Sequence, residues 1–343
     1  MTPQTFRELS RRQRLYRFRE LAQVALGAYG LTDAKLFLIQ YNENVIYRVQ
    51  VAKGITNGDQ TRTGTDQSYL LRLHAWDEKD YINSEMLWLG ALSKKAGLPV
   101  PKPISTLDGK FIFKAISEEL PHGRWVTLLS WVDGRKLSKS LKPIHLGSLG
   151  SVMAKMHTFA AQWKPPEEFS RPVWDWDALL GGSHFDVRRE ILVESMPKHF
   201  HEPFLFISAK VKAAMTKLGT GPDAVGLVHT DLYPENILFK RSQPFLIDFE
   251  DCGFNYWIWD IAVALCTWAW DTGWQAMRDA FYDGYTPIRP LPQAQWELLD
   301  LFIAAQHATM LLWASAFLKH DPMRVDEYVP WRDDSGNKML KYF

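Results

Sequence analysis

The chain has 343 residues, of which 46% are hydrophobic, and its formal net charge is +1. This length favours about two domains, and the near-neutral charge predicts no nucleic-acid partner and no anionic membrane partner. The two cysteines are too few for a disulfide framework or a zinc pattern, which fits a cytoplasmic protein.

The N-terminal segment is basic, with six arginines between positions 7 and 19. It could be a nucleic-acid arm or the solvated face of a helix. Leu15, Phe18 and Leu21 interrupt the basic run, which favours the helix face. No apolar run approaches the roughly 18 residues that span a bilayer, so we expect no membrane segment.

The next part of the chain is predicted to be mainly β-strand. Residues 44–52 alternate between apolar and polar side chains, the pattern of a half-buried strand, and residues 68–74 form a second predicted strand that carries Arg72. A helix is predicted over residues 78–96, ended by Gly97 and Pro99. Gly109 indicates a hairpin turn, and residues 126–132 are a further predicted strand.

Beyond Asp133 and Gly134 the chain is predicted to be helical. Apolar residues recur at three- and four-residue spacing over 145–158 and over 257–270, and a final helix is predicted over 293–317. The sequence therefore predicts an α+β protein with two lobes. Residues 1–130 would form an antiparallel sheet lobe with one helix, and residues 131–343 a larger, mainly helical lobe.

The most informative stretch is LVHTDLYPENILFKRSQPFLIDFEDCG, from Leu227 to Gly253. Its short apolar runs, broken by Ser242 and Pro244, predict a small hairpin that holds three polar side chains at one end. These three are Asp231, Asn236 and Asp248.

This arrangement suits phosphoryl transfer, which needs a positioned acceptor hydroxyl and cations that neutralise the polyphosphate. Asp231 is the candidate catalytic residue, because its carboxylate could accept the proton of the attacking hydroxyl. Asn236 and Asp248 supply the hard oxygen ligands that suit Mg²⁺.

At these residues the chain resembles the aminoglycoside phosphotransferase and choline kinase family. HTDLYPENILF is similar to the family's catalytic loop, and LIDFEDCGFNYWIWDIAVAL is similar to its metal loop and the following helix start. Thr230 stands where Gly is common, and Glu250 stands where protein kinases have Gly. The resemblance implies a bilobal protein-kinase-like fold, ATP as the phosphate donor, Mg²⁺ and a small-molecule acceptor.

The resemblance also implies a nucleotide site in the first lobe. The strand residue Arg72, in place of the commoner Lys, would contact the phosphates and Glu85 would hold it, unless the two form only a surface ion pair. Asn44 could donate to phosphate oxygens or simply make a turn. The backbone from Ser130 to Val132 would receive the adenine.

Two residues are expected to support the catalytic loop. In the resembling family the residue at His229 braces this loop by packing and hydrogen bonding. Asp260 would brace the loop backbone or cap the helix that begins near Ile261, since Asp is a favoured N-terminal capping residue.

The acceptor is less well defined by the sequence. Of the 15 tryptophans, several lie beside acids, as in Trp174-Asp175-Trp176-Asp177 and Trp268 to Asp271. Aromatic faces and carboxylates together suit an ammonium group, although most of these rings could simply fill the core. Additional negative charge is expected from Glu235, Glu250 and Asp251.

The sequence thus predicts a kinase that transfers the γ-phosphate of ATP to a hydroxyl of a small molecule, with an amino-bearing acceptor as one hypothesis. Two alternatives remain open: a bacterial Ser/Thr protein kinase of the same superfamily, and a catalytically silent nucleotide-binding module. The oligomeric state is also open.

Overall fold

The computed structural model describes residues 6, 9–42, 44–52, 67–118, 120–137, 140–185, 187–320 and 322–343. The chain divides into two compact units. Unit 1 comprises Met1–Asp133 and Pro166–Ser170, and unit 2 comprises Gly134–Pro165 and Arg171–Phe343.

The described residues of unit 1 form five strands and two helices. The strands are β1 Lys35–Tyr41, β2 Val45–Val51, β3 Gln67–Leu73, β4 Ile112–Ser117 and β5 Leu120–Ser130, and the helices are α1 Arg11–Ala28 and α2 Lys79–Lys94. The strands make one antiparallel sheet in the order β1-β2-β3-β5-β4.

The core of unit 1 lies between the sheet and α1. The odd-numbered residues of β2 are buried and its even-numbered residues are only partly buried, as the alternating pattern predicted. Phe18, Leu21 and Ala25 of α1 pack into the same hydrophobic cluster, while Arg11 and Arg12 are exposed. The basic N-terminal segment is therefore an amphipathic helix, and the described part of unit 1 has two helices where a sheet lobe with one helix was predicted.

The hairpin predicted at Gly109 is wrong. Gly109 has a φ of +84° and lies in a turn, but the strand after that turn, β4, pairs with β5. Before the turn, the described chain makes an isolated bridge from Pro103 to Leu129 instead of a strand. The glycine signal predicted the turn correctly, but strand pairing depends on the whole sheet.

Unit 2 is mainly helical. Its helices are α3 Pro143–Gln162, α4 Arg189–Glu194, α5 His201–Leu218, α6 Trp257–Leu265, α7 Trp274–Tyr285, α8 Gln293–Trp296, α9 Leu299–His320 and α10 Val325–Leu340. Two small antiparallel pairs of strands complete it: β6 Val225–Val228 with β9 Gly253–Tyr256, and β7 Ile237–Lys240 with β8 Gln243–Leu246.

Two predicted helices of this unit differ from the observed ones. The helix predicted over residues 257–270 ends at Leu265, and Trp270 has a left-handed backbone with a φ of 62°. The helix predicted over residues 293–317 consists of α8 and α9. Apolar side chains continue through both interruptions, so hydrophobic spacing alone does not locate these helix ends.

The helix α9 forms the centre of unit 2. Among the described residues, the segment Gln293–His320 has the length and mean hydropathy of a membrane span, but 78% of its most apolar window is buried inside the fold. A helix that is apolar on all sides is expected in the core of a large domain.

Candidate active site

The loop between β6 and β7 carries Asp231, the predicted catalytic residue, and Asn236, a predicted metal ligand. Leu227 and Val228 are buried in β6, and a short helical turn, Pro234–Asn236, leads into β7. The β7–β8 hairpin then brings the chain back, so that the Ile247 N–H donates to the Asn236 carbonyl at 3.0 Å. Asp248 directly follows Ile247, so this hydrogen bond brings the backbone of Asp248 near that of Asn236.

Asp231 and Asn236 are in direct contact. The Asn236 amide nitrogen donates to the Asp231 carboxylate Oδ2 and to the Asp231 carbonyl, both at 2.8 Å. Because the nitrogen faces Asp231, the oxygen of the same amide is the atom that could bind a cation.

The Asp231 carboxylate lies in a negative environment. Burial, followed by the charges of Asp251 and Asp248, raises the pKa of Asp231 to about 8, although the Asn236 hydrogen bond opposes the rise. Carboxylates that raise one another's pKa in this way favour the approach of a cation.

His229 is buried in its neutral form behind this loop. Its Nε2 lies 3.0 Å from the Ile247 carbonyl, which can only accept, so Nε2 carries the proton. Its Nδ1 then accepts from the Asp231 N–H at 3.4 Å. Burial lowers the pKa of His229, and its ring packs 4.3 Å from that of Phe249. These contacts join the catalytic loop to the metal loop.

Asp260 lies beneath the same loop and is fully buried. Its Oδ1 accepts from the Thr230 N–H at 2.7 Å, and its Oδ2 accepts from His157 Nε2 at 2.9 Å. The Tyr285 hydroxyl is 2.8 Å from the other His157 nitrogen. Asp260 is in the first turn of α6, whose N-cap is Tyr256. It therefore contacts the loop backbone and does not cap the helix.

The backbone at 250–252 is held from two sides. The Thr230 hydroxyl and the Trp174 indole N–H both donate to the Asp251 carbonyl, at 2.6 Å and 3.0 Å. The Arg171 guanidinium donates to the carbonyls of Glu250 and Cys252.

A pocket in unit 2 borders the Asp231 carboxylate. Its aromatic walls are Trp174, Trp259 and Trp313, and its ionisable residues are Asp231 and Asp251. Of the three acids expected near the acceptor, Asp251 lines the pocket, whereas Glu235 is exposed on the loop and Glu250 contributes its carbonyl to Arg171. Trp174, singled out in the sequence, lines it as well. Trp176, also singled out in the sequence, packs against the cations of Arg189 and Lys212 elsewhere in the unit.

The far wall of this pocket comes from α9 and includes residues that the sequence reasoning missed. Gln306, Thr309, Met310 and Trp313 line it. Their three- and four-residue spacing places them on one face of the helix. Two polar residues within an apolar helix were the available signal.

Arg72 and Glu85 form a buried pair in unit 1. Arg72 Nη1 lies 3.2 Å from one Glu85 oxygen and 3.3 Å from the other, and the side chains are only 4% and 1% exposed. The alternative of a surface ion pair is therefore wrong. Contact with both oxygens of one carboxylate fixes the orientation of the planar guanidinium.

Some atoms of the other predicted nucleotide contacts already make hydrogen bonds inside unit 1. The Asn44 side-chain oxygen accepts from the Ala75 N–H at 2.8 Å. The Ser130 N–H donates to the Lys102 carbonyl, and the Ser130 hydroxyl accepts from the Lys102 N–H, both at 2.8 Å. Ser130 therefore has its backbone donor engaged, while Val132 lies two residues beyond, near the end of the unit.

Comparisons with known proteins show the family of the chain. The family model described as the phosphotransferase enzyme family matches residues 49–297. A homoserine kinase of Acidiphilium cryptum (strain JF-5) is 25% identical over 274 residues, covering 76% of this chain and 78% of that protein.

Two solved structures share the fold. A microcompartment-associated aminopropanol kinase has a TM-score of 0.74 at 24% identity, covering 94% of this chain and 97% of that one. Amicoumacin kinase hAmiN, in complex with AMP-PNP, Ca²⁺ and Ami, has a TM-score of 0.69 at 19% identity, covering 96% of both chains. With its family model matched over most of its length, the chain belongs to the phosphotransferase enzyme family and is a kinase.

Proposed function

We propose that this kinase transfers the γ-phosphate of ATP to a hydroxyl of a small, amino-bearing molecule in the cytoplasm. The observation that carries the proposal is the pocket that Asp231 and Asp251 share with three tryptophan side chains. Carboxylates and aromatic faces both attract an ammonium group, the first by charge and the second by cation–π interaction. The names of the homoserine and aminopropanol relatives point in the same direction.

Asp231 is proposed as the general base that accepts the proton of the attacking hydroxyl. It borders the pocket, and the hydrogen bonds from Asn236 fix the orientation of its carboxylate. Its raised pKa is the kind of perturbation that acid–base residues show.

Asn236 and Asp248 are proposed as the protein ligands of Mg²⁺. No group of three or more His, Cys, Asp or Glu side chains in the described part of the chain could hold a metal ion. The set of one carboxylate and one amide oxygen nevertheless fits Mg²⁺, which usually keeps several waters and takes few protein ligands. The crowded carboxylates around Asp231 fit a cation as well. A bound Mg²⁺ would neutralise charge on the phosphates. The Ca²⁺ and AMP-PNP of the amicoumacin kinase complex support the use of a divalent cation with ATP.

Unit 1 is proposed to bind the nucleotide. Arg72 would donate to phosphate oxygens, and Glu85 would hold its guanidinium in place from α2. Asn44 and the backbone at Val132 are the remaining proposed contacts. Unit 2 would supply the acceptor pocket, together with Asp231 and the two metal ligands.

A coupled ADP-release assay tests the proposal. The purified protein is supplied with ATP and Mg²⁺ and screened against amino alcohols, aminoglycosides, sugars and generic peptides, with Asp231→Asn as the blank. We expect acceptor-dependent ADP release from at least one amino-bearing alcohol, and none from the blank. Phosphorylation of a peptide without turnover of any small molecule would instead favour the protein kinase alternative.

A further inference from the structure

The pocket wall formed by α9 contains polar groups that the mechanism above does not use. Thr309 is 1% exposed, yet its hydroxyl has no hydrogen-bond partner among the described residues. The indole Nε1 of Trp313, one turn further along, is likewise buried without a partner within the described chain. The third polar side chain of this wall, Gln306, donates to the Tyr233 hydroxyl at 2.7 Å.

Unmet hydrogen bonds of this kind are unusual in a protein interior. Burial of a hydroxyl or an indole N–H without a partner costs free energy, and most buried polar groups are therefore paired. Here two such groups lie four residues apart on one helix face, and both residues line the pocket that borders Asp231. A hydrogen-bond acceptor on a bound molecule would satisfy both groups.

We propose that Thr309 and Trp313 are specificity-determining residues that bind a second, uncharged oxygen of the acceptor, separate from the hydroxyl that is phosphorylated. This inference rests on the proposed function and narrows it. The indole N–H can only donate, so the group it binds must be a hydrogen-bond acceptor. A hydroxyl, carbonyl or ether oxygen meets this requirement.

The charge of the pocket argues that this oxygen is uncharged. The ionisable residues that line the pocket are Asp231 and Asp251, both of them acids. No Lys, Arg or His of the described chain lines this pocket to pair with a carboxylate on the acceptor, and the negative charge of Asp251 would repel it. Like-charge contacts of this kind discriminate strongly between ligands. An amino diol therefore fits the pocket better than an amino acid.

Three acceptors that differ at a single carbon test this inference. Homoserine, 2-amino-1,4-butanediol and 3-amino-1-butanol share a terminal hydroxyl and an ammonium, and carry a carboxylate, a hydroxymethyl and a methyl group at the same carbon. We expect kcat/KM to be highest for the diol, about tenfold above the methyl compound, the usual worth of one or two uncharged hydrogen bonds. Homoserine should be the poorest of the three.

Thr309→Val removes the hydroxyl and keeps the shape of the side chain. We expect it to reduce the ratio of kcat/KM between the diol and the methyl compound from about tenfold to about twofold or less. Trp313→Phe, which removes the N–H and keeps an aromatic ring, should reduce the same ratio. Thr309→Val should not lower Tm, because the hydroxyl it removes has no partner in the described fold.

Thr158→Val is the matched control. The Thr158 hydroxyl is also buried without a partner in the described chain, but it lies on α3 and does not line the pocket. This variant should keep the wild-type ratio. A merely structural effect of losing a buried hydroxyl would change both threonine variants alike.

Two results would overturn the inference. The first is a wild-type ratio of kcat/KM between the diol and the methyl compound in both Thr309→Val and Trp313→Phe. The second is turnover of homoserine equal to that of the diol. If the wild type hydrolyses ATP without acceptor but turns over none of the three compounds, the acceptor assignment is wrong and the kinase proposal stands. If the wild type neither binds nor hydrolyses ATP, the proposed function itself fails.

Discussion

At the scale of single residues, the candidate site contains two non-glycine residues whose backbone conformation is strained. Thr230 and Asp248 have φ values of 69° and 64°, in the left-handed region that favours glycine. This explains why Gly is common at the first position in the resembling family. Here the Thr230 hydroxyl donates to the Asp251 carbonyl at 2.6 Å, and this hydrogen bond offsets part of the free-energy cost of the left-handed backbone. Such strain persists where the surrounding contacts hold it, and it is frequent at functional sites.

Replacement of Asp231 by Asn tests the catalytic loop most directly. Asn keeps the size of the side chain but cannot accept the proton of the attacking hydroxyl. We expect kcat to fall by roughly 10²–10⁴, the usual worth of a positioned general base. Nucleotide affinity in the presence of Mg²⁺, measured by calorimetry, should remain close to that of the wild type. The exposed Asp223 provides a control, since Asp223→Asn should leave kcat unchanged. Full turnover by Asp231→Asn would remove this residue from the mechanism.

At the scale of elements, α3 and α7 pack closely through glycines. A Cβ added at Gly284 would lie 2.0 Å from the Gly147 carbonyl oxygen, and one at Gly150 would lie 2.3 Å from the Phe281 carbonyl oxygen. The Ser151 hydroxyl also donates across the contact to the Gly284 carbonyl at 2.9 Å. This helix pair supports the site, because His157 on α3 and Tyr285 on α7 continue the hydrogen-bonded chain from Asp260.

Gly284→Ala should therefore destabilise unit 2. The new methyl group would meet backbone atoms that cannot rotate away, and overpacking of this kind costs about 1–3 kcal/mol or more. Gly27→Ala on α1 is the matched control, because a Cβ there meets nothing within 4 Å. It should leave stability unchanged or raise it by up to about 1 kcal/mol through helix propensity. Urea unfolding of both variants measures the difference. Equal stabilities would show that the two helices separate easily.

At the scale of the whole molecule, the described chain buries several histidines, and burial disfavours the charged form of this side chain. Burial lowers the pKa of His157, of His229 and of His307, the last to about 4. The same side chains titrate near 6.5 in the unfolded chain. Between these values each histidine binds more protons in the unfolded chain than in the folded one, so its contribution to the free energy of unfolding falls as pH decreases below about 6.5.

His307→Asn isolates one contribution to this dependence. The variant cannot take up a proton, so its free energy of unfolding should decrease less than that of the wild type between pH 7 and 4. The gap between the two curves should change by up to about 3 kcal/mol over this range. Urea titrations followed by tryptophan fluorescence measure it, and carboxylate titrations cancel because both proteins share them. Parallel curves would contradict a lowered pKa for His307.

The sequence by itself was sufficient for the family, the kinase fold and the β7–β8 hairpin that brings Asn236 beside Ile247. All three depend on short-range patterns, since alternating apolar residues, turn residues and a motif within 27 positions act through neighbours in the chain. The residues that line the acceptor pocket are brought together only by the tertiary structure. Gln306, Thr309 and Trp313 are more than 70 positions from Asp231, and no local preference brings them together. The packing of α9 in the core of unit 2 does so, because its apolar surface must be buried on several sides at once.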